Sequence, residues 1–249
     1  MPGYGCGPLC RAGLTYAGQG MQSGDPEDKH VFLRYFSANG REPVLRNGSF
    51  VELGALDGVQ MSNTHWFERT LGWRGLLVEP DRALFSRLQH NRGLEGNTLV
   101  NALCCSRELA GHNLSFVHGG ALGQVSEIAP DSLRARPLTR RDVPCMTMAS
   151  MLVRAGLSQN INFFSLDVQG FEEEVLRSID WAATSIDVLV VELDGSNQSK
   201  DTRVRALLTA NGMRFERRMG FGHANDLWLG ASFARRAAAK FDRTRNTTL

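Results

Sequence analysis

The sequence has no long apolar run, no paired-cysteine motif and almost no excess charge, and each absence removes a class of function. No stretch reaches the roughly 18 apolar residues of a membrane-crossing helix. The first 24 residues lack a charged start followed by an apolar core, so no secretory signal is expected. The five cysteines, Cys6, Cys10, Cys104, Cys105 and Cys145, form no CxxC pair, and their odd number speaks against a disulfide framework. Cys6 and Cys10 lie in a Gly-rich leader with no matching ligand cluster, which argues against zinc. Cys104 and Cys105 sit in an apolar run and read as small buried hydrophobes. A formal net charge of +2 is too small to imply a nucleic-acid partner. Basic residues do gather at Arg134–Arg141 and Arg235–Arg245, where they read as solvated faces or tails. No GxSxG, Cys/His pair or GxxxxGK[ST] occurs, so hydrolase and P-loop readings have no residues behind them.

What is present is the balance of a globular protein with a core: 42% hydrophobic and 22% charged residues in 249. We expect a disordered Gly-rich leader at 1–24, one domain at 25–232 and a basic tail at 233–249. Four N-x-S/T sequons, at Asn47, Asn113, Asn197 and Asn246, carry little weight without a secretory signal.

Along the chain, strands and helices alternate. Asp25-Pro26-Glu27-Asp28 reads as a helix start, and the spacing predicts a helix over Pro26–Ala38. The strand Phe50–Leu53 runs into Gly54-Ala55-Leu56-Asp57-Gly58, and a helix follows at Asn63–Thr70. Next come a strand at Gly75–Glu79, a helix capped by Asp81, and a strand at Thr98–Cys104. Short strands are expected at Asn113–Val117 and Gln124–Ile128, and an exposed loop at Pro130–Pro144. A helix at Thr147–Ala155 and a strand at Asn162–Asp167 follow. Gly170 opens a helix whose first turn carries Glu172, Glu173 and Glu174. The almost wholly apolar strand Ile186–Leu193, a helix at Lys200–Ala210 and a strand pair at Met213–Arg217 and Asp226–Leu229 close the domain. This order predicts an open, mostly parallel sheet with helices on both faces and one antiparallel strand.

Ligands of such sheets bind at the carboxyl ends of the strands. The stretch Asn47–Asn63 is therefore the expected ligand site. Its glycines permit a sharp turn and a close backbone approach, and its GxxxG spacing is not the GxGxxG dinucleotide fingerprint. The acidic strand ends are Glu52, Glu79, Asp167 and the pair Glu192 and Asp194. Glu79, 25 positions after Gly54, is placed to accept hydrogen bonds from ribose hydroxyls. Asp167 follows so apolar a strand that burial and partners are expected for it. With Glu192 and Asp194 it offers oxygens for Mg²⁺, a secondary option that we do not favour. His223, in the glycine-rich loop before the last strand, is a candidate general base. His65 reads as structural.

These motifs together resemble the FkbM family of S-adenosylmethionine-dependent methyltransferases, and more narrowly its eukaryote-type, Star-like branch. The resemblance rests on Phe50–Gly58, on Ser62-Asn63-Thr64 with Glu68, on Leu71–Pro80, on Asn91-Arg92 and on Phe164–Glu172. The family usually carries Glu at Gln169 and often Asp at Ala149. The resemblance implies a Rossmann-like class I methyltransferase fold with a seven-stranded sheet, and O-methyl transfer. By position it implies a cofactor loop of Glu52, Gly54, Asp57 and Gly58, with Ser62 and Asn63 beside it at the helix start. It implies that Glu79 holds the ribose and that Asp167 sits near the methionine end.

The expected reaction is methyl transfer to a hydroxyl of a small molecule, sugar or lipid, with Asp167 or His223 as base and no metal. The alternative is a catalytically inactive adaptor in membrane trafficking, which the Star-like resemblance implies. The sequence points to a cytoplasmic protein by default, or to endomembranes on that same resemblance. It does not define an oligomeric state.

Overall fold

The computed structural model describes residues 27–38, 42–118, 120–126, 140–157, 159–219 and 224–237. The expected leader and most of the expected tail lie outside them; residues 231–237 are helical. The first helix, α1 (Glu27–Val31), carries Glu27 and Asp28 in its first turn, where the helix dipole favours acids. Where the sequence predicts helix to Ala38, the backbone widens to a π-helical turn at Phe32–Phe36 and then extends. Ser37–Ala38 (β1) pairs antiparallel with Glu42–Pro43 (β2). The cause is tertiary. Phe36 packs on Phe67 and Trp73, and that burial together with the ladder outweighs local helix preference.

The glycine stretch leaves β3 (Ser49–Leu53) and enters α2 (His65–Leu71), which Gly72 closes in the left-handed conformation. β4 (Arg74–Val78) leads to α3 (Arg82–Arg92), capped by Asp81 as expected: its carboxylate accepts from the N–H groups of Ala83 and Leu84. β5 (Thr98–Val100) ends this half. The expected strand to Cys104 divides here. Its last residues, Leu103–Cys104 (β6), join a second sheet with β7 (Asn113–Val117), β8 (Gln124–Val125) and β9 (Arg140–Met146). The loop expected at Pro130–Pro144 is thus strand from Arg140 on, because its backbone pairs with β7 from Asn113 to Val117; residues 130–139 lie outside the described set. Then come α4 (Met148–Ala155), β10 (Asn160–Leu166), α5 (Glu172–Arg177), β11 (Ser185–Glu192), α6 (Gln198–Ala210), β12 (Met213–Met219) and β13 (Asn225–Gly230).

The main sheet has seven strands in the order β12-β13-β11-β10-β3-β4-β5. All its pairings are parallel except those of β13, which runs antiparallel to β11 and β12. The seven-stranded, mostly parallel architecture expected from the sequence is therefore the observed one. Side chains alternate between faces. Val51, Leu76, Phe164 and Leu189 pack with Met151, Val175, Leu176 and Val204 of α4, α5 and α6. Phe50, Leu77, Phe163 and Val188 pack on the other face with Phe32, Phe67 and Leu88. Helices cover both faces, which is why the central strands carry apolar side chains on both.

The cysteine expectation needs correction. Cys105 pairs with Cys145 in a disulfide that spans 40 positions of sequence inside the second sheet. One isolated pair leaves no spacing pattern to read. Cys104 is free and buried, as expected. Among the described residues no helix is long and apolar enough to cross a membrane.

Candidate functional site

Parallel register brings the strand ends to one edge. Leu53 lies opposite Val78 and Leu166, and Leu166 opposite Val191. Gly54, Glu79, Asp167 and Glu192 therefore emerge side by side. The chain leaves β3 toward β4 on one side and returns to β10 on the other, so a crevice opens between β3 and β10 at the topological switch point. Gly54 takes φ 79°, and a Cβ on it would stand 1.9 Å from the Asp167 carbonyl oxygen, so only glycine fits this close approach.

The loop after Gly54 is fixed from beneath by buried charge. The Glu52 carboxylate accepts from the Ser62 hydroxyl at 2.8 Å, the Asn63 N–H at 2.7 Å and the Thr64 hydroxyl at 2.7 Å. Arg92, fully buried at the end of α3, donates to Glu68 at 2.5 Å, to the Gly58 carbonyl at 2.7 Å and to Thr64 Oγ1 at 3.2 Å. It also stands 3.9 Å from Glu52. Burial raises the Glu52 pKa, while Arg92 and the three hydrogen bonds oppose that shift.

On the neighbouring strands the acids differ. Glu79 accepts from the N–H groups of Leu56 at 2.8 Å and Asp81 at 2.7 Å; burial still pushes its carboxyl up to about 8. Asp81 also holds His118 at 2.6 Å. The Gln169 amide donates to both Asp167 and Glu192, at 2.8 Å each. Burial, followed by the nearby Asp167 charge, raises Glu192 to about 9. Glu172 turns away to Lys200 at 2.5 Å.

These groups line a cavity of about 480 Å³, within the usual range for small-molecule sites. Its walls carry six acids, Glu27, Glu52, Glu79, Asp167, Glu192 and Asp194, and no lysine, arginine or histidine among the described residues. The apolar wall comes from Val78, Pro80, Ala102, Phe116, Leu122 and Val125. Leu56, Met61 and Gln169, all lining it, hold left-handed φ of 50°, 59° and 52°. Such strain in non-glycine residues gathers at functional sites. Asn63 Oδ1 is buried without a hydrogen-bond partner at the same wall. Cys104 also lines the cavity, and burial pushes its thiol up to about 12, so it stays protonated.

Of the residues singled out in the sequence, Glu52, Gly54, Asn63, Glu79 and Asp167 line the cavity. Asp57, Gly58 and Ser62 stand behind it. Asp57 caps the Val59 and Gln60 N–H groups, Gly58 packs on the Arg92 side chain, and Ser62 accepts from the His65 N–H. His223 lies outside the described residues. His65 is half-buried, with its pKa lowered to about 4 by burial and then by Arg92. Among the described residues no group of three or more His, Cys, Asp or Glu has the geometry of a metal site. Sequence reasoning missed Glu27 and Asn225, which meet across the cavity from opposite ends of the chain by a hydrogen bond. No local pattern announces such a contact. It also missed the burial of Arg92, although a buried acid on β3 called for a cation somewhere.

A sheet of this order with an acidic, half-apolar cavity at its switch point defines an α/β domain of the methyltransferase type. The chain belongs to the FkbM methyltransferase domain family, which matches residues 52–216. Among solved structures, it is similar to an FkbM methyltransferase from Methylobacillus flagellatus KT (13% identity, TM-score 0.46, 82% of this chain and 50% of that one). It is also similar to an O-methyltransferase from Bacillus cereus in complex with S-adenosylhomocysteine (11% identity, TM-score 0.44, 89% of this chain and 84% of that one). Aeropyrum pernix fibrillarin with natively bound S-adenosylmethionine is a third (11% identity, TM-score 0.41, 76% of this chain and 68% of that one). The chain spans half the length of the Methylobacillus flagellatus structure. No protein of curated function matches the sequence.

Two outcomes follow from the buried charges. Arg92→Met leaves Glu52 and Glu68 buried without their cation, and should cost about 3–5 kcal/mol of unfolding free energy by urea titration. A loss below about 1 kcal/mol would contradict the network. Glu79 has a folded pKa above its unfolded value, so its stabilising contribution is full below about pH 4.5 and is lost as pH rises through about 8. Glu79→Gln should therefore flatten the fall in urea midpoint between those two values. Parallel profiles for the two proteins would contradict this.

Proposed function

We propose that the cavity binds S-adenosylmethionine and that the domain transfers its methyl group to a hydroxyl of a small-molecule, sugar or lipid acceptor. When bound, the cofactor supplies an electrophilic methyl on a sulfonium. The residues suit it in three ways. The acidic lining matches a ligand with cationic sulfonium and ammonium groups. Gly54 lets the Asp167 backbone close in against the loop and shapes the wall, and the Asn63 Oδ1 orphan offers an acceptor in that wall. The observation that carries the reading is the placement of Glu79 at the end of β4, inside the cavity and across from Gly54 and Asp167.

In this reading Glu79 holds the ribose hydroxyls. Glu52, with Asn63, faces the ammonium while anchoring the loop. Gly54 shapes the wall, and Asp57, Gly58 and Ser62 brace it from behind. Asp167 stands at the methyl end as the base, and the apolar wall takes the adenine. The acceptor enters beside Glu27 and Asn225.

Calorimetry tests this directly. S-adenosylmethionine and S-adenosylhomocysteine should bind with sub-millimolar affinity, and Glu79→Ala should weaken both by about 1–3 kcal/mol, roughly 5- to 150-fold. No heat at millimolar ligand would overturn the reading, and unchanged affinity in Glu79→Ala would remove the ribose assignment.

A further inference from the structure

We propose that Asp167 and Glu192, joined through Gln169, act as one proton-sharing pair that removes the acceptor's proton. This rests on the methyl-transfer reading above. Asp167 follows the last residue of β10 and Glu192 is the last of β11; Leu166 pairs with Val191, so the two carboxyls leave adjacent parallel strands on the same cavity wall. One amide nitrogen, Gln169 Nε2, lies 2.8 Å from an oxygen of each. Gln169 does this from a left-handed backbone, φ 52°, which non-glycine residues adopt at a cost. The Asp167 backbone touches the Gly54 turn, so the pair and the cofactor loop share a wall.

Two carboxylates held this close repel, and a single shared proton relieves the repulsion. The surroundings give no other relief. Glu172 on α5 is matched by Lys200 of α6, which donates to it at 2.5 Å and stands 3.3 Å from Asp201. Asp194 accepts from the Ser196 N–H at 2.9 Å, and Glu27 accepts from Asn225. No basic side chain lines the cavity among the described residues. Burial and the neighbouring acids hold Glu192 well above the ordinary range. A cation entering the cavity offsets that repulsion, lowers the affinity for the shared proton and draws it off.

A sulfonium beside the pair favours its fully ionised form, and the shared proton departs to solvent. The acceptor O–H bond then breaks and its proton goes to the pair. The oxygen lone pair forms the new O–CH₃ bond, and the C–S bond breaks with its electrons left on sulfur as a neutral thioether. Total charge is unchanged. With the cation gone, the pair keeps its proton, which resets it for the next turnover.

The test needs no known acceptor. Titration calorimetry of S-adenosylmethionine at about pH 8, in two buffers of different ionisation enthalpy, counts the protons released on binding. The wild type should release a measurable fraction of a proton, and less with S-adenosylhomocysteine, which lacks the sulfonium charge. Glu192→Gln should still bind, with the release cut to the share that Glu79, the other raised acid of the cavity, supplies; Asp167→Asn is the second variant and should do the same. On a pool of hydroxylated acceptors Asp167→Asn should turn over at least about 100-fold more slowly than the wild type. Wild-type binding without proton release, or undiminished release in Glu192→Gln, would overturn the pair. No binding at all would overturn the cofactor reading, and the pair with it.

Discussion

A single guanidinium buried beneath the glycine turn sets the geometry of everything above it. Arg92 has no exposed surface and answers two acids, Glu68 directly and Glu52 at longer range. It also takes the Gly58 carbonyl and the Thr64 hydroxyl, so one side chain ties the end of α3 to the middle of the loop and to its junction with α2. Buried ion pairs are poor sources of net stability, because desolvation offsets much of the Coulomb gain. What the arrangement supplies is position. The loop from Gly54 to Thr64 has no regular ladder of its own; Glu79 and Asp57 hold peptide groups in its first half, and the Glu52–Arg92 framework fixes the stretch that leads into α2.

Above that framework the sheet register does the rest. Four strand ends stop level with one another, and the residue that follows or ends each is Gly54, Glu79, Asp167 or Glu192. The acids then divide by environment. Glu52 is spent on three donors of the loop, Glu79 on two backbone N–H groups, and Asp167 with Glu192 on one glutamine amide. The first is an anchor. The others have carboxylate oxygens left over for a ligand in the cavity they line.

The fold was legible because its signals are periodic and redundant. Phe50-Val51-Glu52-Leu53 and Phe163-Phe164-Ser165-Leu166 are apolar on both faces, as strands under two helical layers must be. The Asp81 cap and the Gly72 stop fixed helix ends by local chemistry alone. What failed was tertiary. The helix expected to Ala38 yields to a π-turn under aromatic packing, and the expected loop before Pro144 is paired with a strand some thirty residues upstream. The Cys105–Cys145 bond joins two sites that no spacing rule connects. Within the site, the turn and the acidic strand ends could be read from position. The bridging by Gln169 and the contact of Glu27 with Asn225 could not, since each depends on side-chain direction and on segments distant in sequence.

In the proposed function the carboxyl edge between β3 and β10 holds S-adenosylmethionine with its reactive end toward Asp167 and Glu192. A crystal structure of the full chain with S-adenosylhomocysteine tests it most directly. The ribose hydroxyls should lie on Glu79, the amino-acid end along the turn from Gly54 to Asn63, and the sulfur should face the Asp167–Gln169–Glu192 group. A ligand bound elsewhere, or one in this cavity whose ribose does not touch Glu79 and whose sulfur faces away from that group, would contradict it.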